Sequence, residues 1–324
     1  MGKVKSFTIL YDRAVDNNVP MYTSGECLSG RIVLEVEAQI EVKALKIHAK
    51  GQAYVHWTES NYNSDISDDY TQQIRYFKQK DLLIGIDGSE QITVIPPGRH
   101  EYPFSLMLPQ IPLPASFKGV HGNVSYWMTA KLHRPWKLRS KVKEMFTVYE
   151  QIDINTPLLL SPQTATDETT VCCCCCASGP ISLNAKILRK GYVSGESIEI
   201  FAEIENHSSR IVVPKAAIFK THIFHAEGEK KKDRDLVTKL KGEPVLAGKT
   251  ETWNGMQLEI PQMPPTLMNC SIIQVEYLLR VYVDIPKALM LNVDFPIVIG
   301  TIPLHSFNNQ ATNFNTQYGM NYNP

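Results

Sequence analysis

The chain has no run of ~18 consecutive apolar residues, the length an α-helix needs to cross a bilayer. Nor does it open on a basic segment followed by an apolar one; Met1-Gly2-Lys3-Val4-Lys5 alternates instead. Neither a helical membrane span nor a standard secretory signal is expected. Charge of one sign is missing too, since 33 Lys plus Arg balance 33 Asp plus Glu. Without a basic excess, general attraction to nucleic acid is not expected. Spaced cysteines are equally absent. Of seven cysteines, five are consecutive, Cys172 to Cys176, and neighbours in extended chain cannot build a disulfide framework. A reducing, cytoplasmic setting is the expectation.

Long amphipathic helices are also lacking, and the period that is present is two. Ile32, Leu34 and Val36 share one face of their segment, with Arg31, Glu35 and Glu37 on the other. Leu45, Ile47 and Ala49 alternate in the same way with Lys46, His48 and Lys50. Such segments read as antiparallel strands with one wet face. Twenty prolines and 18 glycines punctuate them, as expected of an all-β chain of short strands and turns. At ~150 residues per domain the 324 residues suffice for about two sandwiches.

Internal repeats settle the count. Tyr22-Thr23-Ser24-Gly25-Glu26 returns 170 positions later as Tyr192-Val193-Ser194-Gly195-Glu196. Pro109-Gln110-Ile111-Pro112 returns after 152 positions as Pro261-Gln262-Met263-Pro264. Val124-Ser125-Tyr126 through Pro135 returns after 151 as Val275-Glu276-Tyr277 through Pro286. The falling offset puts a net insertion in the first copy, and the polar stretch 59–71 reads as that insertion, a solvated loop. The Pro-, Ser- and Thr-rich stretch that leads into the cysteine run reads as a linker. The expected layout is a first domain over 1–155, a linker with the cysteine run over 156–178, a second domain over 179–303, and an Asn-rich disordered tail over 304–324.

Two tandem β-sandwiches (immunoglobulin-like), with Ser-Gly-Glu after the first strand and Gly122-Asn123-Val124-Ser125-Tyr126-Trp127 running toward Leu132-His133-Arg134-Pro135-Trp136, resemble the arrestin fold. Ser178-Gly179-Pro180-Ile181-Ser182-Leu183, Lys215-Ala216-Ala217, Lys249-Thr250-Glu251-Thr252-Trp253, Tyr282-Val283-Asp284-Ile285-Pro286 and Val298-Ile299-Gly300-Thr301-Ile302-Pro303-Leu304 are similar to the alpha-arrestins, the arrestin domain-containing proteins. The resemblance covers residues 1 to 303. It implies a cytoplasmic adaptor that is recruited to plasma membrane and endosomes, engages receptors or transporters for endocytic trafficking, and brings HECT-type ubiquitin ligases through Pro-Pro-x-Tyr motifs. Here the sequence departs from the pattern, because Pro96-Pro97 and Pro264-Pro265 are followed by no Tyr at the required place. Ligase recruitment therefore needs another element, and a tailless form acting as a decoy that occupies cargo is the alternative. One member of the family also engages thioredoxin through a cysteine three residues before the tryptophan matching Trp253. Thr250 stands there instead, so that mixed disulfide is not expected.

No constellation of nucleophile, base and electrophile emerges, and no enzyme activity, cofactor or metal is expected. Gly248-Lys249-Thr250 lacks the spacing of a phosphate-binding loop and reads as a turn before a strand. His222 and His225 would sit on opposite faces of a strand. More informative are Lys137, Arg139, Lys141 and Lys143, which alternate along a candidate strand. Two readings are open: a ladder for an anionic or phosphorylated cargo tail, or a solvated face partly neutralised by Glu144. Lys3 and Lys5 in the first strand extend the patch if it exists, as arrestins use basic residues of that strand. Cys172, Cys173, Cys174, Cys175 and Cys176 read as acylation sites or as unmodified thiols, and Met1-Gly2 through Ser6 fits the myristoylation pattern at Gly2. Either modification would give peripheral membrane contact.

Overall fold

A computed structural model describes residues 3–14, 19–60, 67–86, 91–173 and 176–305. The chain is almost entirely β. The first half carries β1 (Val4–Tyr11), β2 (Met21–Tyr22), β3 (Cys27–Val36), β4 (Ile40–Val42), β5 (Ala44–Ser60), β6 (Ser67–Ile84), β7 (Thr93–Ile95), β8 (Gly98–Met107), β9 (Phe117–Lys118), β10 (Gly122–His133) and β11 (Ser140–Val148). The second half carries a one-turn helix, α1 (Pro157–Leu160), then β12 (Gln163–Cys173), β13 (Cys176–Ile187), β14 (Gly191–Val193), β15 (Ser197–Asn206), β16 (Val213–Ala226), β17 (Glu229–Lys241), β18 (Lys249–Glu259), β19 (Ile273–Asp284) and β20 (Leu291–Gly300).

Two compact units result: residues 1–150 with 223–231 and 267–274, and the remainder. In the first, a three-stranded sheet β1-β3-β8 and a sheet β2-β11-β10-β5-β6, with β9 on β10, form the two layers. In the second, β12-β13-β15-β18 and β14-β20-β19-β16-β17 do so. The period-two pattern is what buries these sheets. Along β10, Tyr126, Met128, Ala130 and Leu132 are fully buried, and along β5 Leu45, Ile47 and Ala49 meet them from the next strand. Gly51 is needed there, since a Cβ at that site would stand 2.5 Å from the Tyr126 ring and 2.7 Å from that of Phe77.

The three repeated motifs converge in space, once in each unit. Gly25 turns at φ 77° and donates its N–H to Pro109 O at 3.1 Å, while Ser24 Oγ accepts the Leu113 N–H. Tyr126 OH closes the joint by donating to Pro114 O at 2.7 Å. The second unit repeats each part: Gly195 at φ 87° donates to Ile260 O, Ser194 Oγ donates to Met263 O, and Tyr277 OH donates to Pro264 O at 2.6 Å. The motif glutamates cap the turn from within. Glu26 accepts the Thr23 N–H and pairs with Arg13 at 2.9 Å; Glu196 accepts the Val193 N–H and pairs with Arg189 at 3.0 Å.

Two expectations are corrected. The stretch 156–178 is not a free linker, because 163–173 form β12, paired with β13 from Gln163↔Ile187 to Cys173↔Cys176. Its threonines and Val171 are β-branched, which suits a strand as well as a tail. The polar stretch 59–71 is likewise not all loop: β5 runs to Ser60 and β6 starts at Ser67, so the insertion lengthens a two-stranded ribbon with Thr58 donating to Asp69. The tail expected to be disordered lies outside the described residues from 306 onward.

The two glutamate–arginine pairs differ in burial, with side chains 16% and 9% exposed for Arg189 and Glu196 against 47% and 31% for Arg13 and Glu26. Breaking the buried pair strands a charge and costs more. Glu196→Ala is expected to lower unfolding stability by about 3 kcal/mol and Glu26→Ala by about 1 kcal/mol, as read by chemical denaturation. Equal losses would contradict this reading of the joint.

Candidate anion-binding face

The wet side of the β11-β10-β5-β6 sheet is where cations accumulate, and the register shows how. Lys141 pairs with Lys131, which pairs with Lys46. The next row runs Lys143, Thr129, His48, Lys80, and the third Met145, Trp127, Lys50, Lys78. Strands lie ~4.8 Å apart, so the first row sets three ammonium groups side by side and the third sets Lys50 beside Lys78, an arrangement that is unfavourable by itself, while in the second Thr129 and His48 stand between Lys143 and Lys80. The Trp127 ring relieves part of it, with the Lys143 ammonium 4.3 Å and the Lys50 ammonium 5.9 Å from its centroid.

A cleft of about 430 Å³ opens at one end of these rows, lined by Lys46, His48, Lys80, Lys131, His133 and Arg139, with the carboxylate Asp81 and Leu82 at its side. Its potential is legible in the imidazoles. Burial first, then the ammonium groups of Lys131, Lys80, Lys78 and Lys50, pushes His48 from the ordinary 6.5 down to about 4. Burial and then Arg139, Lys46 and Lys131 depress His133. Lys50 is lowered by burial and by its cationic neighbours.

The candidates from sequence are distributed unevenly. Lys141 and Lys143 stand in the rows. Lys137 and Arg139 do not share their strand, because β11 begins at Ser140; they lie in the preceding turn, with Arg139 on the cleft. Lys3 and Lys5 flank a different sheet, and each meets a carboxylate, Lys3 with Glu37 at 3.7 Å and Lys5 with Glu35 at 2.7 Å. They do not extend the patch. Glu144 pairs across to Met128 on the buried phase of β10, away from the rows. Lys46, His48, Lys50, Lys78, Lys80, Lys131 and His133 were missed as site residues. The sequence carries a signal for three of them, Lys46, His48 and Lys50, as the wet face of one strand, but not the pairing of that strand with β10.

For the cysteines, Cys172 pairs with Ala177 and Cys173 with Cys176 at the end of the β12–β13 ladder. Cys174, Cys175 and Gly2 lie outside the described residues. Thr250 is exposed on β18 opposite Glu205, and Trp253 is buried against Gly242. Gly248 makes the turn before β18 at φ 69°. Among the described residues no three His, Cys, Asp or Glu side chains are grouped to hold a metal ion, and no helix is long and apolar enough to cross a membrane.

Comparison with known proteins identifies the class. Residues 11–155 match the N-terminal domain of arrestin (or S-antigen) and residues 177–304 its C-terminal domain. Arrestin domain-containing protein 4 of Homo sapiens is 39% identical over 323 residues, 98% of this chain and 77% of that protein, and its Mus musculus counterpart is equally similar. Thioredoxin-interacting protein of Homo sapiens is 36% identical over 303 residues, 92% of this chain and 75% of that one. The chain belongs to the arrestin family, in its alpha-arrestin branch.

An anion in the cleft would favour the protonated imidazole and so raise the His48 pKa above about 4. Binding then takes up a proton, and affinity increases as pH falls from 7 toward 5. In the free protein the sign is opposite: neutral His48 is favoured, so its contribution to stability is present above 6.5 and is lost as pH falls toward 4. A sulfotyrosine peptide without carboxylates keeps its own charge over this range. Its affinity is expected to rise on acidification and His48→Gln to flatten the rise; a pH-independent affinity in the parent protein would overturn the assignment.

Proposed function

We propose that this chain is a non-enzymatic trafficking adaptor that holds acidic or phosphorylated tails of membrane receptors or transporters on the basic face of its first unit. Membership in the arrestin family points to an adaptor rather than an enzyme. The single observation that carries the proposal is the set of three in-register rows on β11, β10, β5 and β6. A sheet does not need like charges opposite one another for solubility, and an extended anionic segment lying along the first row would meet a cation on successive strands. Endocytosis and ubiquitin-dependent down-regulation of such cargo, from a cytoplasmic pool recruited to plasma membrane and endosomes, is the cellular role this binding would serve.

Acylation of Cys172 to Cys176 would hold the adaptor near that cargo. One acyl chain gives only reversible membrane binding, ~10⁴ M⁻¹, whereas two give stable anchoring. Replacing the five cysteines by Ser is expected to move the protein from membrane to cytosol in cells. An unchanged membrane fraction, or no hydroxylamine-sensitive lipid label, would eliminate acylation.

Neutralising Lys131, Arg139, Lys141 and Lys143 to Gln should weaken a phosphopeptide roughly ten- to hundredfold and flatten its salt dependence. Unchanged affinity refutes the face. Affinity capture from cells then separates the two cellular roles: receptors recovered with a HECT-type ligase support the adaptor, and receptors without one support a decoy.

A further inference from the structure

The turn between β10 and β11 holds two large apolar side chains against nothing. Trp136 is 98% exposed and Leu138 93%. Fraying does not account for this. Trp136 sits at φ 55°, a left-handed conformation that a non-glycine residue adopts only when its surroundings impose it. Pro135 fixes the preceding φ, and Arg134 Nη2 reaches Ser140 Oγ across the turn at 3.4 Å. The indole is therefore presented outward by a built turn.

The second unit supplies an internal comparison. Its β19–β20 turn repeats the geometry, with Pro286, then Lys287 at φ 58°, then Leu289 at 92% exposure. There a lysine replaces the indole, and Asp284 precedes it. Turn shape and one exposed leucine thus belong to the repeat. The addition of a tryptophan, with exposed Lys137 and Arg139 alternating with the two apolar residues, belongs to the first unit alone.

This combination selects a lipid surface over a protein groove. A groove deep enough to bury Trp136 and Leu138 would also desolvate Lys137 and Arg139 beside them. An anionic bilayer takes all four without that penalty, since tryptophan favours the interfacial zone, leucine enters below it, and the cations remain at headgroup level. Lys141 and Lys143 continue the positive charge along β11.

We propose that residues 134–139 are a contact for anionic bilayers, with Trp136 and Leu138 inserted into the interfacial region and Lys137 and Arg139 against lipid phosphates. The inference does not rest on the peptide-binding reading, because Trp136 and Leu138 belong to the turn alone, although Arg139 also lines the cleft, and it needs no acyl chain.

The test uses the full, unacylated chain with vesicles of phosphatidylcholine alone and of phosphatidylcholine mixed with phosphatidylserine. Binding to the mixed vesicles, with a blue shift of tryptophan emission that Trp136→Phe removes, is expected. Trp136→Ser with Leu138→Ser should reduce partitioning about tenfold or more, Lys137→Gln with Arg139→Gln should abolish the preference for phosphatidylserine, and Leu289→Ser should change little. Since the substituted side chains are exposed, thermal unfolding and sulfotyrosine-peptide affinity of the first variant should match the parent. No binding by the parent to mixed vesicles, full binding by the Trp136/Leu138 variant, or an equal loss in Leu289→Ser would overturn the proposal.

Discussion

Each sandwich is closed at one end by a buried tyrosine hydroxyl. Tyr126 belongs to one sheet, yet its OH is spent on Pro114 O, in the segment that leaves β8 of the other sheet. The Ser24-Gly25 turn is clasped to that same segment. A hydroxyl so deeply buried must be satisfied, and losing its acceptor would cost about 1–3 kcal/mol. The segment therefore has one place to go, and the two layers are fixed relative to one another by it. Tyr277 and Pro264 impose the same condition on the second unit.

That closure gives β10 its second use. Residues 126, 128, 130 and 132 are committed to the core, so residues 127, 129, 131 and 133 are committed to the opposite face. Because the strand is central, it brings the cations of β11 on one side and of β5 on the other into a common register. The unfavourable proximity of these charges persists because slipping β10 by one position would turn Tyr126 and its buried neighbours to the outer face. The core thus pays for the field of the surface.

This division also explains what was legible beforehand. Period, repeat and turn chemistry are local, and from them two tandem β-sandwiches were readable; their arrestin type was readable only through the resemblance of particular strings such as Ser178 to Leu183 and Val298 to Leu304. The joint was visible as three recurring strings, though not as one contact, since Ser24, Leu113 and Tyr126 meet only once the sheets are paired. The site was half-readable for the same reason. Lys141 and Lys143 lie two positions apart in one strand, whereas Lys46, Lys80 and Lys131 join them only through the order β11-β10-β5-β6. Lys3 and Lys5 looked free because Glu35 and Glu37, their partners, are 30 or more positions away. The threonine-rich stretch before the cysteines misled because composition alone does not separate a solvated tail from an edge strand.

The left-handed tryptophan at the β10–β11 turn sets stability against use. Glycine at position 136 would remove about 1–2 kcal/mol of backbone strain and one exposed indole at once. Judged only by how well the chain folds, Trp136 is the wrong residue in that place, and a screen for thermostable variants would discard it early. Because Lys287 holds the same left-handed position in the second unit, the strain belongs to the turn of both copies, and what sets Trp136 apart is the exposed indole that the strained backbone carries.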